Sequence, residues 1–121
     1  MTTPVDIVMP YGVTVVGDGT NNPKLATAHP KQLQNLGLKL PPGPCRIAAS
    51  WEGEEKVAIV VQTNGTRNYR TVLNLPEKTG GGGRQGMVTV GAVENDYVYL
   101  NGHQLSSGTK GTLEVYPLNF E

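Results

Sequence analysis

The chain has 121 residues and 37% hydrophobic side chains, enough to build one core but not several domains. Ten basic and ten acidic residues cancel to a net charge of zero, and no run of Lys or Arg occurs, so the sequence lacks the electrostatic signature of a nucleic-acid-binding protein. Sixteen glycines and nine prolines favour many turns and little helix.

Residues 1–11 are predicted to form an extended N-terminal arm. Pro4 and Pro10 bracket it, and proline lacks the N–H that a central strand must donate. We expect the arm to pair with the sheet edge of another protein chain. Its predicted contact residues are Val5, Ile7, Met9 and Tyr11. No basic n-region and no long apolar run is present, so the sequence predicts neither a signal peptide nor a membrane span.

A strand of β-branched residues is predicted at 12–16, followed by a polar loop. The next segment is the least strand-like part of the chain. Pro30 suits the first position of a helix and Gly37 suits the position just after its end, so one short helix is predicted near residues 30–36.

From Cys45 onward the pattern is that of β-strands separated by turns. With the two N-terminal strands, about eight short strands are predicted, at 5–9, 12–16, 47–51, 56–63, 66–75, 87–93, 97–100 and 112–116. No repeat and no domain boundary is visible. The sequence therefore predicts a single all-β domain over residues 1–121, an antiparallel β-sandwich or jelly-roll-like barrel.

Two Asn-Gly pairs predict tight hairpin turns, because both residues tolerate the positive φ of a type I′ turn. Asn64–Gly65 is predicted to join the strands at 56–63 and 66–75, and Asn101–Gly102 to turn the chain into a short return at 103–105. In the strand at 66–75, Tyr69, Thr71, Leu73 and Leu75 are expected to share one face.

The stretch at 77–86, EKTGGGGRQG, is predicted to be a flexible glycine-rich loop. A phosphate-binding loop would need a lysine, a hydroxyl residue and a helix after the last glycine, whereas a strand-like MVTV follows here. Two alternatives stay open: a solvated connection between strands, or a contact loop that is ordered on assembly, with Arg84 as its interaction residue.

Residues able to carry catalysis or bind a metal are few and scattered. His29, His103 and Cys45 are far apart in sequence and form no metal-ligand spacing. We therefore predict no enzyme activity, no catalytic residues, no metal and no cofactor. Cys45 is expected to be a small buried residue, and Trp51 to lie in the core, with a ligand platform of Trp51 and tyrosines as the alternative.

The arm MTTPVDIVMPYG, the paired Asn-Gly hairpins and the strand-loop-strand stretch GGGGRQGMVTVGAV resemble, in size and layout, the small decoration or cement proteins of tailed-bacteriophage capsids. The resemblance covers the whole chain without a diagnostic motif. It implies symmetric copies, often trimers, that bind a major capsid protein at the virion surface after synthesis in the host cytoplasm.

The sequence therefore predicts a non-enzymatic structural protein that binds a larger protein lattice and associates with itself. Nucleic acid and membrane are not expected partners. The alternative function is that of a carbohydrate- or receptor-binding β-sandwich module of a phage tail or fibre.

Overall fold

The computed structural model describes residues 9–33 and 37–118, which form ten β-strands. Their bounds are β1 Tyr11–Val16, β2 Lys24–Leu25, β3 Gln32–Leu33, β4 Gly37–Lys39, β5 Gly43–Trp51, β6 Val57–Thr63, β7 Tyr69–Asn74, β8 Arg84–Ala92, β9 Asp96–Gly102 and β10 Lys110–Pro117.

The strands form two five-stranded sheets in which every pair of neighbours is antiparallel. The first sheet has the order β2-β1-β10-β5-β8, and the second has the order β3-β4-β9-β6-β7. After β4 the chain crosses between the sheets at every connection except the hairpin from β6 to β7. Alternate side chains of both sheets enclose one core, whose largest fully buried members are Trp51, Leu38, Leu40, Ile47 and Ile59.

The all-β class, the two antiparallel sheets and the sandwich are confirmed. The number of strands is ten rather than about eight, and no helix is present in residues 9–33 and 37–118. The helix prediction is wrong because Pro30 lies inside a turn, in which the N–H of Gln32 donates to the carbonyl of His29 at 2.9 Å. The chain then enters β3, and residues 34–36 lie outside the described residues.

The Asn64–Gly65 hairpin is confirmed, but its turn type is not the predicted one. β6 and β7 pair antiparallel, with Gln62 opposite Tyr69 as the last pair, so the connection is longer than two residues. Gly65 has φ of +81° while Asn64 is not left-handed, which indicates a type II rather than a type I′ turn. The prediction of a turn at Asn101–Gly102 is wrong, since both residues continue β9 and pair with β6.

A β-bulge in the β6–β7 pair changes which side chains share a face. Leu73 lies opposite Ile59, and Thr71 lies opposite Val60, so Val72 is an extra residue in β7. The predicted common face is therefore divided: Leu73 packs against the core, whereas the exposed Thr71 lies on the outer side of the second sheet. This bulge brings polar and aromatic side chains together on that outer face.

Candidate functional site

The predicted arm contacts are only partly within the described residues. Val5 and Ile7 lie outside them, and Met9 is 71% exposed. Tyr11 begins β1, opposite Val115 of β10, and its hydroxyl donates a hydrogen bond to the carbonyl of Lys39. Burial raises the pKa of Tyr11, so its hydroxyl stays a donor at neutral pH. These contacts of Tyr11 are within its own domain, at the point where the arm joins the sandwich.

Arg84 is held by the main chain next to the glycine-rich loop. Its side chain is 13% exposed, and its guanidinium donates hydrogen bonds to the carbonyls of Leu75 at 3.0 Å and Glu54 at 3.3 Å, with Glu77 at 3.7 Å as ion-pair partner. The four glycines at 80–83 all have positive φ, a conformation that other residues rarely adopt. Arg84 thus braces the base of the loop, while the glycines at 80–82 are exposed at its tip.

Cys45 and Asp96 are both fully buried, and His103 is distant from Asp96. Cys45 is fully buried, as expected, and burial raises the pKa of its thiol. The carboxylate of Asp96 accepts hydrogen bonds from the Thr63 hydroxyl at 2.7 Å and the Val93 N–H at 3.0 Å. His103 follows the opposite end of β9, about 20 Å away at the usual rise of a strand. Asp96 therefore serves to hold the turn between β8 and β9.

Trp51 is fully buried, which confirms its place in the core and excludes it from a ligand platform. Its indole N–H donates to the carboxylate of Glu55 at 3.3 Å, and the Ser106 N–H donates to the same carboxylate at 2.8 Å. The Ser106 hydrogen bond is the largest cause that lowers the pKa of Glu55 to about 2. Glu55 thus links the β5–β6 turn to the β9–β10 loop.

Three tyrosines meet on the outer side of the second sheet, where Tyr97 and Tyr99 are buried and Tyr69 is exposed. Tyr97 and Tyr99 stack with ring centroids 5.5 Å apart, and Val60 packs with them. Tyr69, 70% exposed, borders an open groove of about 400 Å³ whose lining includes Tyr99 and Val60. This volume is within the range of small-ligand sites. We refer to the hollow beside Tyr69, Tyr99 and Val60 as the tyrosine groove.

Part of this arrangement of tyrosines could be predicted from the sequence. In Tyr97-Val-Tyr-Leu100 the aromatic residues alternate with aliphatic ones, so the two tyrosines had to share the face opposite to the core. Sequence reasoning missed that Tyr69 joins them, because the join depends on the β-bulge and on the pairing of β6 with both β7 and β9.

The outer face of the first sheet has a different character. Near its middle the outward side chains of Ala48, Ser50, Met87 and Thr112 are small or uncharged, and the charged side chains of Glu114 and Arg46 lie beside them. Met87, 57% exposed, lies on β8, a nine-residue strand at the edge of the sheet. β8 contains neither Lys nor Pro, the residues that commonly prevent an edge from pairing with another chain. The two ends of β8 have partners besides β5, since the Gln85 N–H donates to the Pro76 carbonyl at 3.1 Å and Arg70 donates to the Gly91 carbonyl at 3.2 Å. The middle of the edge, around Met87, is left for a further strand or a flat partner surface.

Within residues 9–33 and 37–118, no cluster of three or more His, Cys, Asp or Glu side chains is suitable for a metal ion. The same part of the chain contains no helix with the length and apolar character needed to cross a membrane.

No family model matches the sequence, and no curated protein matches it. Among solved structures, the fold is similar to the globular domain of the zebrafish complement 1qA protein, with a TM-score of 0.56 and 11% identity over 91% of this chain and 98% of that one. Protein YxiM of Bacillus subtilis is also similar, with a TM-score of 0.46 and 14% identity over 89% of this chain and 30% of that one. The likeness to the complement domain shows a common β-sandwich fold.

Proposed function

We propose that the chain is a non-enzymatic structural protein that associates with itself and binds a larger protein lattice, as a capsid decoration protein does. Its site of action would be a virion surface, reached after synthesis in the host cytoplasm. The finer fold that goes with this proposal is a jelly roll, which the repeated crossing of the chain between the two sheets supports.

The observation that carries the proposal is the open edge of β8. Nine residues of edge strand run without Lys or Pro, and Met87 is exposed in their middle. Edge strands of monomeric proteins are usually short, charged, bulged or covered, because their free N–H and C=O groups otherwise pair with another chain. An edge whose middle is unprotected, beside an exposed Met87, fits a protein that covers this surface with a second copy or a lattice subunit.

Charged substitutions on this edge test the proposal. Met87→Lys and Thr89→Lys place an ammonium group on the outer face of β8, where the side chain does not enter the core. We expect size-exclusion chromatography with light scattering to give an oligomer for the unmodified protein and a 12.9 kDa monomer for both variants. Ser107→Lys, on an exposed loop away from this face, is the matched control and should remain oligomeric. Variants that assemble like the unmodified protein would refute the role of β8.

A second candidate function, carbohydrate or receptor binding, is favoured by the tyrosine groove. An exposed aromatic ring beside hydrogen-bonding groups suits a sugar, whose C–H face stacks on the ring while its hydroxyls bind polar side chains. The two functions differ in a simple measurement. A protein that only binds a lattice does not bind sugars, whereas a binding module should bind a glycan with an affinity that depends on Tyr69.

A further inference from the structure

The tyrosine groove is adjacent to a second hollow, which extends from the same outer face to the end of the sheet near Lys56 and Arg84. The first hollow has a volume of about 400 Å³ and the second about 680 Å³, and both are lined by Thr71 and Asn101. Together they form a trough over β6, β7 and β9, longer than a single sugar unit needs. The shape alone suits a chain-like ligand that lies along the face of the sheet.

The charged side chains that line this trough are of one sign. Its lining includes the side chains of Lys56, Arg67, Arg84 and His103 and contains no Asp or Glu. The whole chain has ten basic and ten acidic residues, so this local excess of basic side chains does not follow from the overall composition. Of these four lining side chains, Arg84 alone has an acidic partner among the described residues, Glu77 at 3.7 Å. The trough is therefore complementary to an anionic ligand.

The polar groups of the trough are available for binding. The side chains of Arg67, Thr71 and Asn101 make no hydrogen bond or ion pair with another residue of the described part of the chain. By contrast, Gln62 is occupied, since it accepts from the Tyr99 hydroxyl at 2.9 Å and donates to the Thr66 carbonyl at 3.0 Å. A free guanidinium, hydroxyl and carboxamide thus surround an exposed aromatic ring.

We propose that the trough binds an acidic oligosaccharide, a glycan whose sugar units carry carboxylates. One sugar ring would stack on Tyr69, its carboxylate would pair with the guanidinium of Arg67, and Thr71 and Asn101 would hydrogen-bond its hydroxyls. A further acidic unit would lie towards Lys56. The inference rests on the second candidate function and specifies the ligand class of that site.

A single-stranded nucleic acid also offers stacking faces and negative charge, but it is the poorer match. Binding a strand along its backbone needs a groove of cations that follows successive phosphates, together with several stacking residues. Here one tyrosine is strongly exposed, and the two cations without an acidic partner, Lys56 and Arg67, lie in different hollows. Neutral hydroxyl and amide groups occupy the part that the two hollows share.

Isothermal titration calorimetry with three acidic probes tests the inference: oligogalacturonate, hyaluronan oligosaccharides and oligomers of α-2,8-linked sialic acid. Neutral malto- and cello-oligosaccharides and a single-stranded DNA oligonucleotide serve as comparison ligands. We expect at least one acidic glycan to bind, more weakly as salt is added. Tyr69→Ala and Arg67→Glu should each weaken it about tenfold or more. Arg46→Glu makes the same charge change on the exposed outer face of the first sheet and should leave binding unchanged.

The outcomes distinguish a failure of this inference from a failure of the second candidate function on which it rests. Neutral glycans that bind as tightly as acidic ones, with the same dependence on Tyr69, would overturn the acidic ligand and leave carbohydrate binding in place. No binding of any glycan would overturn both. The inference would also be overturned if the oligonucleotide bound more tightly than the acidic glycans. It would be overturned as well if Tyr69→Ala and Arg67→Glu left the binding of acidic glycans unaffected.

Discussion

Asp96 is the buried charge on which the turn between β8 and β9 depends, and Asp96→Ala is the perturbation that tests this. The side chain is fully buried and accepts two hydrogen bonds, from the Thr63 hydroxyl and the Val93 N–H. Its ion-pair partner Arg70, at 3.8 Å, has a half-exposed side chain that water can solvate in the variant, so we attribute little of the loss to that pair.

The expected loss follows from the two hydrogen bonds. A hydrogen bond to a charged group contributes about 1.5–3 kcal/mol, and its removal leaves a partly buried donor without its partner. The desolvation of the carboxylate, which the variant no longer requires, offsets part of the sum. We therefore expect Asp96→Ala to lower the free energy of unfolding by about 3 kcal/mol. For 121 residues the entropy of unfolding is about 0.25 kcal/mol/K, so Tm falls by about 12 °C.

Thermal unfolding followed by circular dichroism at neutral pH measures this loss. Glu94→Ala, two residues away on an exposed part of the same turn, is the control and should change Tm by no more than about 2 °C. A double-mutant cycle with Thr63→Val isolates the hydroxyl–carboxylate bond, and we expect a coupling of about 1.5 kcal/mol. If Asp96→Ala lowers Tm by less than about 3 °C, the role of the buried carboxylate is refuted.

Two further predictions concern stability. The pKa of Glu55 is lowered from 4.5 to about 2, so its contribution is complete above pH 4.5 and is lost as the pH falls towards 2. Glu55→Gln should therefore lower Tm at pH 6 but much less near pH 2, and a Tm difference that is independent of pH would contradict the assignment. Gly65→Val should lower the free energy of unfolding by about 1–2 kcal/mol, because φ is +81° there, a conformation that a β-branched residue resists. A Cβ at this position would meet no atom within 4 Å, so a steric clash would not cause the loss. Gly91→Val, at an exposed glycine of β8 without a positive φ, should be tolerated, and equal losses for the two variants would argue against a backbone cause.

The parts of the fold that the sequence predicted are those in which local patterns decide the structure. Runs of alternating or β-branched residues located the strands around Trp51 and Val60, and the Asn64–Gly65 pair located the hairpin. The turn at Pro30 was mistaken for a helix start because proline at the first helical position and proline within a turn have the same preferred φ. The short strands β2 and β3 contain two residues each, too few to show any period.

The features that make up the candidate site depend on contacts that are distant in sequence. The stacking of Tyr97 and Tyr99 on one face was implied by alternation, but the addition of Tyr69 required the bulge in β7. Arg84 was expected to contact a partner because it follows four glycines. In the structure its guanidinium donates to the main-chain carbonyls of Leu75 and Glu54, which no local pattern indicates, and its contact with a partner stays a prediction.

The central claim, that this protein works through association of copies at the open β8 edge, is tested most directly by the mass of the unmodified protein in solution. Sedimentation velocity over a series of concentrations, from micromolar upward, gives that mass without a substitution or a known partner. We predict a discrete species of several times 12.9 kDa, with β8 protected from hydrogen exchange. A 12.9 kDa monomer at every concentration, with the amides of β8 exchanging freely on its open side, would contradict the claim.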